Sequence, residues 1–233
     1  MIKIQNKKIR TITPTIPIDF VFKTYKIFVI KLMDDIIFLV RHGETDWNKS
    51  PKRFQGRKDI PLNQTGIHQA YCLAEYFKNL DIKYIFSSPL KRAYQTAQII
   101  NKFHSLPIFQ YEELTEMNFG NWEGKTIEEI KQSYPSLWQL WQTHPEKVKI
   151  PNAETLEKLI NRCTSILEKI KKYPGGPKLV ITHGALLRAM IIRLFNRPKS
   201  IFNKIVQNNG AINIIHFENI PELLLINYTS YLK

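Results

Sequence analysis

From Met33 onward the chain alternates apolar, β-rich runs with amphipathic helical stretches, and this alternation restricts the possible folds more than any other feature. Ile36 to Val40 is a continuous apolar run, as expected of a strand buried on both faces. Thr65 to Leu80 follows, with Ile67, Ala70, Tyr71, Ala74 and Phe77 at helical spacing. Ile82–Phe86 predicts a second strand, Leu90–Phe103 a second helix, and Pro107–Phe109 a short third strand. Next comes a Trp-rich helical region in which Trp138 and Trp141, three apart, read as core and Trp122 precedes them. Residues 153–173 form the clearest helix, with Leu156, Leu159, Ile160, Cys163, Ile166, Leu167 and Ile170 on one face. Pro174-Gly175-Gly176-Pro177 stops it. A strand at Lys178–Thr182, a helix at Gly184–Phe195 and strands at 211–217 and 223–228 complete the chain. Such alternation implies a three-layer α/β/α sandwich with a mainly parallel sheet.

Composition narrows the class. At 233 residues, 43% hydrophobic and 12% aromatic, the chain has ample apolar material for a core and does not read as disordered. Two cysteines, Cys72 and Cys163, make no disulfide framework and suit a reducing, cytoplasmic compartment. No apolar run approaches the roughly 20 residues a membrane helix needs. The net charge of +14 is unevenly placed. Residues 1–32 carry seven basic residues against Asp19 alone, a balance of +6, and the remaining +8 is diffuse. That first segment is set apart as a basic extension (a targeting segment with an organellar address, an arm, or a start-site artefact), and residues 33–233 form the domain. Diffuse positive charge steers small anions. No nucleic-acid reading motif accompanies it, so neither nucleic acid nor membrane is expected as a partner.

The polar residues that stand out fall at strand ends. Arg41-His42 directly follows the first strand. Ser87-Ser88-Pro89 and Arg92 follow the second, at the start of a helix. His183 follows the Leu179–Thr182 strand, and Gly184 opens the next helix. In open α/β sheets, ligands bind outside the carboxyl ends of the strands. Two histidines and two arginines therefore converge on one edge. Guanidinium forks match phosphate oxygens. Helix N-termini near Pro89 and Gly184 add N–H donors for an anion. A neutral imidazole is a competent nucleophile, and a second, protonated one would hold charge on a transferring group. The histidines lack metal-ligand spacing, and neither metal nor cofactor is expected. His68, His104, His144 and His216 read as ordinary polar residues.

These residues resemble the histidine phosphatase superfamily, the phosphoglycerate mutase-like proteins. The resemblance runs through Arg41-His42-Gly43-Glu44-Thr45-Asp46-Trp47-Asn48, Phe54-Gln55-Gly56, Asp59-Ile60-Pro61-Leu62-Asn63 and Gly66. It continues at Ser88-Pro89-Leu90-Lys91-Arg92-Ala93 with Thr96-Ala97, and at Leu114–Gly120 with Trp122-Glu123-Gly124. It ends at Thr182-His183-Gly184. It implies a phosphoglycerate mutase-like fold. It also implies that His42 is the nucleophile, that Arg41, Arg92 and His183 complete the phosphate pocket, and that Glu116 protonates the leaving oxygen. Asn48, Gln55, Gly56 and Gly184 would line the substrate side.

The superfamily holds mutases, phosphatases and inactive binders. The mutase branch carries a longer, diproline-rich insert after the Glu block and tends to have Tyr where Phe119 stands. Here Lys125-Thr126-Ile127-Glu128-Glu129-Ile130 follows directly, and the Trp138–Pro145 stretch resembles the broad-specificity and α-ribazole phosphatase branch. The resemblance thus implies a metal-independent phosphatase acting on a small phosphorylated metabolite, as monomer or homodimer. Phosphoglycerate mutase-type transfer and a non-catalytic phospho-ligand binder are the alternatives. A binder would have lost His42, His183 or an arginine, and all are present. Asn152-Ala153-Glu154-Thr155 departs from the branch, which usually has Gly before the Glu and Ser after it.

Overall fold

The computed structural model describes residues 35–217 and 220–232, so the basic extension at 1–32 lies outside the described residues. Among the described residues, six strands form one sheet: β1 (Ile36–Arg41), β2 (Tyr84–Ser87), β3 (Ile108–Gln110), β4 (Lys178–Thr182), β5 (Ile212–His216) and β6 (Glu222–Tyr228). Their order is β3-β2-β4-β1-β5-β6. The β1–β4, β2–β4 and β2–β3 pairs are parallel, whereas β5 is antiparallel to β1 and to β6. Three of the five pairings are parallel, so the sheet is mainly parallel as expected, with β5 and β6 as an antiparallel edge. A crossover between parallel neighbours needs roughly a dozen residues or more, and residues 217–221 are too few, so β5 and β6 form a hairpin-like pair.

Side chains alternate across β1, and each set buries under different helices. Ile36, Phe38 and Val40 pack with Ile85, Leu179 and Ile181 beneath α1 (Gln64–Phe77) and α2 (Lys91–Ile100). Ile37 and Leu39 pack with Phe86 and Val180 on the opposite face. That face is covered by α3 (Ile127–Ser133), α4 (Pro135–Thr143), α5 (Leu156–Lys171) and α6 (Gly184–Leu194). The α5 stripe is buried as its spacing predicts, and its start is set by Thr155, which caps it by accepting from the Lys158 N–H. Trp122 and Trp141 are buried in this core, and Trp138 packs against it. Among the described residues, no helix is long and apolar enough to cross a membrane.

The sheet's carboxyl edge gathers the unusual residues. Arg41 ends β1 and His42 follows it, anchored by its N–H to the Thr182 carbonyl at 3.0 Å. After α6 the chain returns to this edge, and the Gly210 N–H donates to both the Arg41 and His42 carbonyls. That return path is why β5 enters the sheet from the site end and runs antiparallel to β1.

Candidate active site

His42 is 2% exposed, and its two nitrogens have different jobs. Nδ1 lies 2.6 Å from the Gly43 carbonyl, an acceptor only, so Nδ1 carries the proton. Nε2 is left with its lone pair and accepts from Arg92 Nε at 3.3 Å. Burial, with Arg92 and Arg41 alongside, holds the His42 pKa well below the usual histidine range. A buried imidazole that stays neutral and presents a fixed lone pair is a pre-formed nucleophile.

Arg92 enters from the first turn of α2, where its charge opposes the helix dipole and is held by other groups. It is fully buried and donates to the Lys58 carbonyl at 2.7 Å and the Gly56 carbonyl at 2.8 Å. Gly56 is required there. Its φ is +50°, and a Cβ would stand 2.0 Å from the Glu123 carboxylate. Arg41 donates to the Gln207 carbonyl at 2.7 Å, and its Nε is buried with no partner. Burial lowers both guanidiniums to about 10, so both remain charged at neutral pH. Gly184 abuts Arg41, since a Cβ on it would lie 3.3 Å from Arg41 Nε. A side chain at 184 would make the Arg41 guanidinium shift by a few tenths of an ångström.

His183 is fully buried at the N-cap of α6, with its ring centroid 5.1 Å from that of His42. Its Nε2 pairs with the Ser88 hydroxyl at 2.7 Å, and Nδ1 has no partner. The sequence expectation was a protonated imidazole. Instead, burial and the neighbouring Arg92, His42 and Arg41 push its pKa well below the usual range, so the free pocket holds it neutral.

These two histidines have a consequence for stability. Their folded-state pKa values lie below the unfolded value near 6.5, so the unfolded chain binds more protons as pH falls. Stability is complete above about pH 6.5 and declines below it, by up to about 1.4 kcal/mol per pH unit per histidine. Denaturant midpoints measured from pH 7 down to 5 are expected to fall, and to fall less steeply in His42→Ala. An equal slope in both proteins would contradict the burial of a neutral His42.

Glu116 is 9% exposed and faces the same cavity. Its Oε1 accepts the N–H groups of Met117 at 2.9 Å, Ala185 at 3.1 Å and Leu186 at 3.3 Å, the last two from the N-terminal turn of α6. The backbone beneath it is held by Arg162, which donates to the carbonyls of Glu113, Thr115 and Glu116. Arg162 is itself paired with Glu154 through two bonds of 2.9 and 2.8 Å. The unusual Asn152–Thr155 stretch therefore still delivers its glutamate, with Asn152 at φ +60° making the turn.

A cavity of about 230 Å³ is lined by Arg41, His42, Asn48, Gln55, Gly56, Arg92, Glu116 and Gly184. Every residue expected at the site lines it except His183, which lies against His42 beneath it. Asn48 Oδ1 is engaged by the Thr45 N–H and by Asn209 Nδ2, which also donates to the His42 and Gly43 carbonyls. The sequence reading gave no role to Lys52, Arg53, Phe54, Phe119, Ile127, Ala185 or Arg188, which also line the cavity. For Arg188 a signal existed: it is four residues beyond Gly184, in the middle of a helix whose other charged residue, Arg193, lies in the last turn. A larger cleft of about 620 Å³ lies between α5 and the end of α6, lined by residues such as Asn161 and Arg197 and by none of the residues above. Volume does not locate the chemistry here.

The family model described as Histidine phosphatase superfamily (branch 1) matches residues 37–227. The Bacillus subtilis (strain 168) protein called Uncharacterized phosphatase PhoE is 41% identical over 198 residues, covering 84% of this chain and 96% of its own length. Phosphoserine phosphatase 1 of Hydrogenobacter thermophilus is 32% identical, covering 84% and 93%. A histidine-to-alanine mutant of the Entamoeba histolytica phosphoserine phosphatase, in complex with phosphoserine, superposes with a TM-score of 0.76 at 29% identity, covering 85% and 99%. With its order of motifs, its mixed sheet and its paired buried histidines, this chain belongs to the histidine phosphatase superfamily.

Proposed function

We propose that the protein is a metal-independent phosphatase that hydrolyses small phosphomonoesters through a phosphohistidine on His42 Nε2. The observation that carries this reading is the unprotonated Nε2, 3.3 Å from a buried guanidinium at the cavity wall. The phosphoryl group displaces the Arg92–His42 contact, and its oxygens take up the Arg41, Arg92 and His183 donors. His42 Nε2 then attacks phosphorus as the ester P–O bond breaks, and Glu116 passes its proton to the departing oxygen. Water attacks the phosphohistidine next, returns a proton to Glu116 and releases inorganic phosphate. Positioning and charge stabilisation dominate such transfers. The two free thiols, Cys72 and Cys163, support a cytoplasmic setting.

Glu116→Gln isolates the acid step, because the amide oxygen can keep the bonds now made to Oε1. The variant is expected to lose about 10²–10³-fold in kcat on alkyl phosphates, the range for one general acid. On p-nitrophenyl phosphate, whose phenolate leaves without a proton, the loss is far smaller. Equal losses on both esters would remove Glu116 from the acid role. The function itself is tested by phosphate release from an ester panel with a chelator present, beside phosphoglycerate isomerisation. Chelator-resistant release supports the phosphatase. Isomerisation without release reassigns the protein to the mutases, and silence in folded protein makes it a binder.

A further inference from the structure

We propose that Arg188 is a specificity-determining residue that binds a carboxylate on the substrate, so the preferred ester carries an acid group close to its phosphate. This rests on the reading that the His42 pocket takes the phosphoryl group. The other arginines of the cavity are occupied. Arg41 holds the Gln207 carbonyl, Arg92 holds two carbonyls and His42, and Arg53 donates to the Gly124 carbonyl and pairs with Glu129 at 3.4 Å. Lys52 is exposed, and water serves an exposed ammonium.

Arg188 lies on the cavity wall with its Nε buried and without a partner, as Arg41 Nε is, but unlike Arg41, Arg92 and Arg53 its guanidinium makes no hydrogen bond or ion pair among the described residues. Its guanidinium carbon sits 5.8 Å from the centre of the buried Phe202 ring, which orients the group without satisfying its donors. Burial lowers the Arg188 pKa, and the Glu116 charge offsets this without a direct hydrogen bond. A desolvated guanidinium whose donors are unmet is costly, and an anion in direct contact relieves that cost. The planar fork suits a carboxylate in bidentate contact.

Placement sets the distance. Arg188 is four residues after Gly184, so both occupy one face of α6, about one 5.4 Å turn apart. Gly184 touches the Arg41 guanidinium that grips the phosphoryl group. The second anion therefore lies within a few carbons of the first. The cavity of about 230 Å³ is smaller than the roughly 300–1,000 Å³ of drug-sized pockets. A compact phosphorylated acid fits this space better than a bisphosphate.

The test compares ligands that differ at the acid group: phosphoserine against phosphoethanolamine, and 3-phosphoglycerate against glycerol 3-phosphate. Calorimetric titration into His42→Ala protein measures binding without turnover. With Arg188 present, each acid is expected to bind at least tenfold tighter than its partner. Adding Arg188→Gln should bring that ratio close to one, and Arg188→Lys should restore part of it. Circular dichroism confirms that each variant is folded; if the Gln variant is not, the Lys variant's ratio decides. No preference for the acids, or a preference that survives the Arg188 substitutions, overturns the inference. Failure of the unaltered protein to hydrolyse any of the four esters overturns the phosphatase reading instead, and leaves the binding ratio to be judged separately.

Discussion

Replacing His42 by alanine abolishes phosphate release and leaves a folded protein. The loss is expected to be roughly 10⁴–10⁶-fold in kcat, the scale seen when a covalent nucleophile is removed. Nothing else at the cavity can replace it, since His183 Nε2 is tied to Ser88 and His183 lies beneath the cavity wall. Folding survives because the strand end is held by main-chain bonds, from the His42 N–H to Thr182 and from the Gly210 N–H to Arg41 and His42. The imidazole contributes one bond to its neighbour's carbonyl and accepts one from Arg92. Its loss is expected to change stability by no more than about 1–2 kcal/mol. Phosphate release, an acid-labile radiolabel trapped on the unaltered protein but not on the variant, and thermal melting check the three parts. Substantial activity in pure His42→Ala protein would sink the phosphohistidine.

Arg92→Ala has a different signature: activity and stability fall together. The side chain joins three segments, donating to the carbonyls of Gly56 and Lys58 and to the nucleophile itself. Removing it takes one guanidinium from the phosphoryl group and lets His42 rotate, so kcat/KM should drop at least about 10³-fold. It also leaves polar acceptors without donors, at about 1–3 kcal/mol for each that stays buried. Melting is expected to drop by about 5–10 °C. Arg92→Lys recovers little, because one ammonium cannot span a fork that serves three acceptors. A variant that melts like the parent would show that the loop at residues 55–58 is held by other means.

Much of this arrangement could be read from residue order. Apolar runs of strand length placed β1, β2 and β4, and residues directly after such runs must lie at one sheet edge. That reasoning alone brought Arg41, His42, Arg92 and His183 together, and the motif resemblance added Glu116, Asn48, Gln55 and Gly56. The direction of β5 was less legible, because strand patterning records burial and not polarity. Asn209 and Gln207 were missed for another reason. Each acts through a partner far away in sequence, and only the folded chain shows that Asn209 reaches His42 or that Gln207 receives Arg41. The charge state of His183 escaped for the same reason, since burial, and then the charges of Arg92 and Arg41, act on it only after folding.

The start of α6 does several things at once. Within one turn it seats His183, admits Arg41 through Gly184, holds the Glu116 carboxylate with two N–H groups and points toward Arg188. In the proposed reaction, acid, phosphate grip and selectivity are thus mounted on one rod, buried along Leu186, Leu187, Ala189 and Met190. A substitution that slides this rod by a fraction of an ångström cannot retune one property alone. Changes of preference in this scaffold should therefore arise more readily at cavity residues carried by other elements, such as the exposed Lys52.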